Sequence, residues 1–163
     1  MNVYMSDRAL ASILNELDDF REYKLETGGV FLGVIDNDDY YIIESSSPGM
    51  NAVHRVNSFE YDAEFIGYIS TKHANIYKHP LEVIGLWHTH WDGENMFSEP
   101  DNMLNHKFVD AYKTNIISLL ITESDQLMMK AYLVDSADEC KNINIQYGDL
   151  NIPKEYLKYQ IRI

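Results

Sequence analysis

The sequence predicts an α/β fold: a single domain in which a mixed β-sheet is flanked by two to three helices. The length of 163 residues suits one ordinary domain, and no internal repeat or linker divides the chain. Short apolar runs typical of strands alternate with longer amphipathic segments typical of helices. A hydrophobic content of 45% is normal for a globular protein, so the core needs no metal to hold it together.

The first half of the chain contains two amphipathic segments and several strand-like runs. Ser6 is a favourable N-cap for the first helix. GGVFLGVI is apolar throughout, as buried strands are, and the acidic turn NDD leads into a second strand, YYIIES. A polar strand and another helix follow the loop SSSPGMN. The predicted elements are a strand at 1–5, a helix at 7–20, strands at 28–35, 40–45 and 53–58, and a helix at 61–73. The residues expected to face the core are Ala9, Leu10, Ile13, Leu14 and Leu17 on the first helix, and Phe65, Ile66 and Ile69 on the second.

The second half begins with LEVIGLWHTH, a strand at 81–90 that ends in two histidines. A helix is predicted at 99–113, then strands at 116–122 and 128–134 joined by the turn ESDQ. Residues 142–163 fit two interpretations, an extra strand with a short helix against the sheet or a mobile arm. The predicted organisation is one domain over 1–140 and an extension over 141–163 packed on the same domain.

Charge and cysteine content exclude several classes of function. A net charge of −13 and a pI near 4.7 repel phosphate backbones, so no nucleic-acid partner is expected. Cys140 is the single cysteine, which rules out an internal disulfide and fits a reducing compartment. The first ten residues lack a signal-peptide pattern, and no apolar run is long enough to cross a membrane. The expected location is the cytoplasm.

The segment GLWHTHWDGENMFSEPDN, residues 85–102, has a purely structural interpretation. Polar residues are common where strands end. Ser98 as N-cap, Pro100 in the first turn and Asp101 as the acid of a capping box would start a helix. Each half of the segment alone favours this interpretation.

Taken together, the two halves favour a metal site. His88 and His90 are two apart on a strand and face the same side, whereas Trp87 and Thr89 face the other. A helix that begins beside that strand end can bring Asp101 to the same point. Two imidazoles and a carboxylate, with a fourth position open to water, are typical of catalytic rather than structural zinc.

A zinc hydrolase also needs a proton carrier and a group that stabilises the oxyanion. Zinc lowers the pKa of a bound water from about 15.7 toward 7, and a nearby carboxylate must then accept and return a proton. Glu26 lies just before a strand expected beside the histidine strand, and Gly28 and Gly29 would allow close backbone approach there. Ser98 can donate to an oxyanion and still cap its helix.

These residues resemble the JAMM (MPN+, JAB-domain) metalloproteases. The signature of that family is a glutamate, then H-[S/T]-H, seven residues and S-x-x-D, and it is matched by Glu26, His88, His90, Ser98 and Asp101. The resemblance covers about residues 6–134 and implies the cytidine-deaminase-like (MPN) fold. It also implies zinc bound by the two histidines and the aspartate, a general acid–base glutamate, and a serine that stabilises the oxyanion.

The resemblance further implies a substrate: a peptide or isopeptide bond after the C-terminal tail of a ubiquitin-like modifier or an analogous conjugated protein. The sequence looks most like stand-alone bacterial JAB proteases, which act beside E1- and E2-like enzymes, including those of the anti-phage CBASS operons. Two alternatives stay open. One is a peptidase that processes a ubiquitin-like or sulfur-carrier precursor, and the other is a non-catalytic scaffold of the MPN type.

One position departs from the family pattern. Many members have proline after the second histidine, where this chain has Trp91. Trp91, Met96 and Phe97 are predicted either to form an apolar wall that binds the substrate tail as an added strand, or to pack inward.

Overall fold

The computed structural model describes residues 1–137 and 139–160, and within them it has the predicted α/β fold with a mixed sheet. The strands are β1 (Val3–Met5), β2 (Gly28–Asp36), β3 (Asp39–Ser45), β4 (Val53–His54), β5 (Phe59–Glu60), β6 (Glu82–His90), β7 (Ile116–Glu123), β8 (Leu127–Val134), β9 (Cys140–Ile143) and β10 (Ile145–Tyr147). The helices are α1 (Asp7–Arg21), α2 (Ala63–Ile76) and α3 (Glu99–Tyr112), and two 3-10 helices follow at Asp149–Asn151 and Lys154–Leu157.

The main sheet curves until its two outer strands meet. Its eight strands follow the order β10-β1-β3-β2-β6-β7-β8-β9. The outermost strands β9 and β10 are separated in the chain by Asn144 alone. Two peptide units span at most about 7 Å, so the strands at opposite ends of this order come close together.

Each face of the sheet packs against its own apolar layer. On one face α1 packs Ile13 into a cluster that contains Trp87. On the other face α2 and α3 contribute Ile66 and Phe108 to a second cluster, which Tyr156 of the C-terminal segment joins. Because both faces are covered, the central strands are apolar along nearly their whole length.

β6 lies in the middle of the sheet and places its C-terminal end between two neighbours. It pairs antiparallel with β2, where Gly28 lies opposite His88. It pairs parallel with β7, where Leu120 lies opposite the same histidine. Thr89 N–H donates to Thr27 O at 2.9 Å and fixes the chain just before β2 against the end of β6. The residues that precede β2 are thereby held beside the two histidines.

Residues 140–160 lie against the rest of the chain, as the first of the two interpretations expected. β9 pairs with β8 and β10 with β1. Tyr159 forms a bridge with Tyr77, just after α2. The boundary predicted at residue 140 stays a prediction, and residues 161–163 of that extension lie outside the described residues.

Two local predictions were wrong. Leu14 was expected in the core but is 41% exposed. The buried stripe of α1 follows the i, i+4 series through Ile13, and Leu14 lies about 100° around the helix from it. The segment predicted as one strand at 53–58 is a hairpin of two short strands, closed by a bond from Arg55 N–H to Ser58 O of 3.0 Å.

We expect Gly29→Ala to lower the free energy of unfolding by about 3 kcal/mol, because the tightly packed strands around this position leave no room for a methyl group. A Cβ at Gly29 would lie 2.3 Å from Ser46 O and 2.7 Å from Trp87 Nε1. Urea unfolding of each variant measures this change. The matched control is Gly67→Ala in α2, where a Cβ meets nothing within 4 Å and helix propensity predicts a gain of about 0.5–1 kcal/mol. Equal stability of the two variants would contradict the close approach.

Candidate metal centre

The two histidines at the end of β6 present their Nε2 atoms to the same point. His88 and His90 are each 5% exposed, and their Nε2 atoms are 3.2 Å apart. Trp87 and Thr89 point to the opposite face and are fully buried, as the strand period predicted. Two imidazole lone pairs repel each other at this distance, so the arrangement requires a proton or a cation between the rings.

Asp101 reaches the same point from the first turn of α3. Its Oδ1 lies 3.4 Å from His88 Nε2 and its Oδ2 lies 3.2 Å from His90 Nε2. One donor atom from each of the three residues lies within 4.8 Å of the other two. Two imidazole nitrogens and a carboxylate oxygen are a ligand set that suits zinc, with room for further ligands on the open side. His88, His90 and Asp101 therefore fit a zinc ion.

The start of α3 has the capping box that the sequence indicated. Ser98 Oγ accepts from Asp101 N–H at 3.2 Å, and Asp101 Oδ2 accepts from Ser98 N–H at 2.8 Å. The structural interpretation of this segment is confirmed, and it does not exclude the functional one. The bonds that begin the helix also fix the carboxylate beside the histidines.

Glu26 lies on the other side of His90. Its backbone N–H donates to Arg55 O at 2.8 Å, and its Oε1 lies 3.8 Å from His90 Nε2. The side chain is buried, and burial raises the pKa of its carboxyl to about 7. His90 opposes this shift in pKa, and the negative charges of Asp101 and Asp92 add to it. A buried carboxyl that can hold a proton near neutral pH is suited to acid–base chemistry.

The charged groups of the cluster shift the pKa values of their neighbours. Burial alone would raise the pKa of Asp101, but hydrogen bonds with His88 and His90 outweigh it and hold this pKa well below its usual range. Burial would likewise lower the pKa of His90, but the hydrogen bond and charge of Asp101, followed by the charge of Glu26, raise it. The cluster therefore favours positive charge at its centre, which is what a cation supplies.

An open cleft of about 350 Å³ exposes this cluster to solvent. Four of the five residues singled out from the sequence line it, namely Glu26, His90, Ser98 and Asp101. His88 lies beside them, in a smaller pocket that also borders Asp101. Residues distant in the chain are thus brought to one place, although their catalytic roles stay predictions.

The three residues predicted to form an apolar wall, in the loop after the histidines, lie in different environments. Trp91 packs inward, with 6% of its surface exposed and its indole N–H donating to Leu25 O at 2.6 Å. It does not line the cleft. Met96 is 73% exposed, and the ring of Phe97 is stacked against His88 with centroids 5.8 Å apart. A role of Met96 and Phe97 in substrate binding stays a prediction.

Sequence reasoning missed one wall of the cleft. The hairpin of β4 and β5 contributes Asn57, Ser58 and Phe59. Beyond it, an apolar groove of about 630 Å³ opens between α2 and α3 and shares Phe59, Pro100 and Leu104 with the cleft. No spacing within the hairpin reveals this placement, because only the tertiary fold brings it beside α3.

Comparisons with known proteins agree with this fold. A family model described as prokaryotic homologs of the JAB domain matches residues 13–134. The solution structure of protein DSY2949 from Desulfitobacterium hafniense is similar to this chain with a TM-score of 0.64 at 17% identity, over 89% of this chain and 92% of that one. This likeness shows a shared fold. No curated protein matches the chain. None of the helices in the described residues is long and apolar enough to cross a membrane.

Proposed function

The chain belongs to the prokaryotic homologs of the JAB domain, and from this membership we propose that it is a zinc metalloprotease that hydrolyses a peptide or isopeptide bond. One observation carries the proposal: donor atoms of His88, His90 and Asp101 lie within 4.8 Å of one another. Glu26 lines the same cleft, with its Oε1 3.8 Å from His90 Nε2. A ligand set of two histidines and one carboxylate with an adjacent free carboxylate is typical of zinc peptidases.

Each residue of the cleft has its own proposed role in hydrolysis. Zinc held there would supply Lewis acidity and lower the pKa of water toward 7. Glu26 accepts the proton that attack by water releases and returns it to the leaving amine. Ser98 Oγ accepts from Asp101 N–H. Its hydroxyl hydrogen, which can bond the Asp101 carboxylate, is the group proposed to donate to the oxyanion of the substrate carbonyl.

We propose that the substrate is a protein with an extended, ubiquitin-like C-terminal tail. The cleft has the hairpin of β4 and β5 on one side and the start of α3 on the other, and it continues into the apolar groove between α2 and α3. An extended segment can lie along such a path, with its apolar side chains in the groove and its carbonyl at the metal centre. The finer assignment, to deconjugation beside E1- and E2-like enzymes in anti-phage operons, rests on the resemblance of the motif alone.

We expect Met103→Glu to raise KM by about tenfold, the equivalent of about 1.4 kcal/mol of binding, with little change in kcat. Met103 is 57% exposed and lines the apolar groove, so a charge there disfavours an apolar tail. Steady-state kinetics on a tail-bearing substrate measures the change. The matched control is Asn102→Glu, which adds the same charge one residue away, outside the residues that line the groove. Equal KM values for both variants would place the tail elsewhere.

The function itself is tested with ubiquitin-like proteins that end in Gly-Gly. One set is joined to a lysine side chain through an isopeptide bond, and the other is fused linearly to a short peptide. Zinc-loaded protein is expected to cleave after the terminal glycine, and chelation is expected to stop it. Preference for the isopeptide set indicates deconjugation, and preference for the linear set indicates precursor processing. Failure to cleave either set with zinc bound would favour the non-catalytic scaffold.

A further inference from the structure

A small pocket beside the metal centre contains a buried amide that the proposed mechanism does not use. The pocket has a volume of about 10 Å³, and its lining includes His88, Asp101, Tyr61 and Asn105. Asn105 is 1% exposed, and its Oδ1 accepts from Ser118 Oγ at 2.9 Å. Its Nδ2 has no hydrogen-bond partner among the described residues. A buried amide of this kind requires a partner, and the pocket has room for one water molecule.

The two histidines differ in the hydrogen bonding of their Nδ1 atoms. His90 Nδ1 lies 3.1 Å from Glu94 O, an acceptor that fixes the proton on Nδ1 and leaves Nε2 free to bind a metal. The polar contacts of the His88 side chain with described residues pass through Nε2. A histidine that binds a metal through Nε2 carries its proton on Nδ1 and needs an acceptor there. Within the described part of the chain, no protein group provides one for His88.

We propose that Asn105 is a positioning residue for the metal centre and acts through one water molecule held in this pocket. The water oxygen accepts from Asn105 Nδ2 and from His88 Nδ1, and this orients the His88 ring. Tyr61 Oη, which donates to Trp87 O at 2.8 Å, can accept a hydrogen from the same water. This inference rests on the proposed function, because it requires zinc at the site.

The position of Asn105 in the fold explains how one amide can serve this purpose. It lies four residues after Asp101, so both face the same side of α3. Its partner Ser118 lies on β7, opposite Leu86 of the histidine strand. The bond between Asn105 and Ser118 therefore ties the helix that carries one ligand to the sheet that carries the other two. One oxygen anchors the side chain, and its nitrogen is left for the pocket.

Zinc affinity, measured by competition with a chromogenic chelator, tests the role of Asn105. We expect Asn105→Leu, which keeps the branched shape but removes the amide, to weaken zinc binding by about 10- to 100-fold. The matched control is Asn102→Leu, the same change on an exposed position of the same helix, which is expected to bind zinc as the wild type does. Thermal unfolding of both variants without zinc separates positioning from a general loss of stability. Asn105→Leu with wild-type affinity would overturn the inference, whereas a wild type that does not bind zinc would overturn the metal centre itself.

A second measurement does not depend on the folding of any variant. In nitrogen-15 NMR of the zinc-loaded wild type, the Nδ1 proton of His88 and the side-chain amide protons of Asn105 are both expected to show cross-relaxation with one long-lived water. Absence of such a water from either group would contradict the proposal, even if Asn105→Leu binds zinc weakly.

Discussion

Replacing Glu26 with glutamine is expected to lower turnover by about 10²- to 10⁴-fold, the contribution typical of a positioned acid–base group. Glutamine keeps the shape of the side chain but cannot accept and return a proton. Glu26 Oε1 lies 3.8 Å from His90 Nε2 and borders the cleft, so the change removes the proton carrier and leaves the three proposed ligands in place. Single-turnover kinetics on an isopeptide substrate measures the loss.

Two controls show whether the expected loss of turnover comes from proton transfer: the zinc content of the variant, and the loss of a different carboxylate. The Glu26→Gln variant is expected to hold as much zinc as the wild type, which separates proton transfer from metal binding. The matched control is Glu99→Gln, which removes an exposed carboxylate in the first turn of α3 that does not line the cleft. That control is expected to stay within about twofold of wild-type turnover, because a surface charge away from the site contributes little. A fully active Glu26→Gln enzyme would exclude Glu26 as the proton carrier.

The second large effect is expected at Asp101, which both caps α3 and faces the histidines. Asp101→Ala and Ser98→Ala each break the capping box, so both are expected to lose about 1 kcal/mol of stability without zinc. Asp101→Ala alone also removes a proposed ligand, and its zinc affinity is expected to fall by more than about 100-fold. Ser98→Ala keeps all three proposed ligands.

Zinc-dependent unfolding distinguishes the two roles of Asp101. At a zinc concentration of about 100 times the wild-type Kd, binding stabilises the wild type by about 2.7 kcal/mol. The same gain is expected for Ser98→Ala, whereas Asp101→Ala is expected to gain no more than about 0.4 kcal/mol. Urea unfolding with and without zinc gives these differences. Equal gains for Asp101→Ala and Ser98→Ala would make Asp101 a helix cap and nothing more.

Local patterns of the sequence were sufficient for the elements that hold the site. Ser6 caps α1 as predicted, with its Oγ accepting from Ala9 N–H at 3.0 Å. The histidine strand and α3 were each placed to within a residue at both ends. Strand period and capping preference are set by neighbours in the chain, so one sequence contains them.

The features that the sequence did not predict depend on contacts between distant parts of the chain. Nothing near Asn144 indicates that β9 and β10, one residue apart, join opposite ends of the sheet order. The placement of Phe59 in the wall of the cleft likewise follows from tertiary contacts of its hairpin, such as the bond from Glu26 N–H to Arg55 O. Trp91 is different, because the strand period through Trp87 and Thr89 already indicated an inward position for it. Inward packing was one of the two predicted alternatives for Trp91, and its 6% exposure confirms it.

The measurement that tests the metal centre most directly is zinc content per chain, by elemental analysis of wild type and His88→Ala purified identically without added metal. His88 Nε2 lies 3.2 Å from His90 Nε2 and 3.4 Å from Asp101 Oδ1, so its loss leaves two ligands of three. We expect about one zinc per wild-type chain and almost none in the variant. A folded wild type that stays free of zinc, even after reconstitution with zinc, would contradict the metal centre and leave the segment a strand end followed by a capped helix.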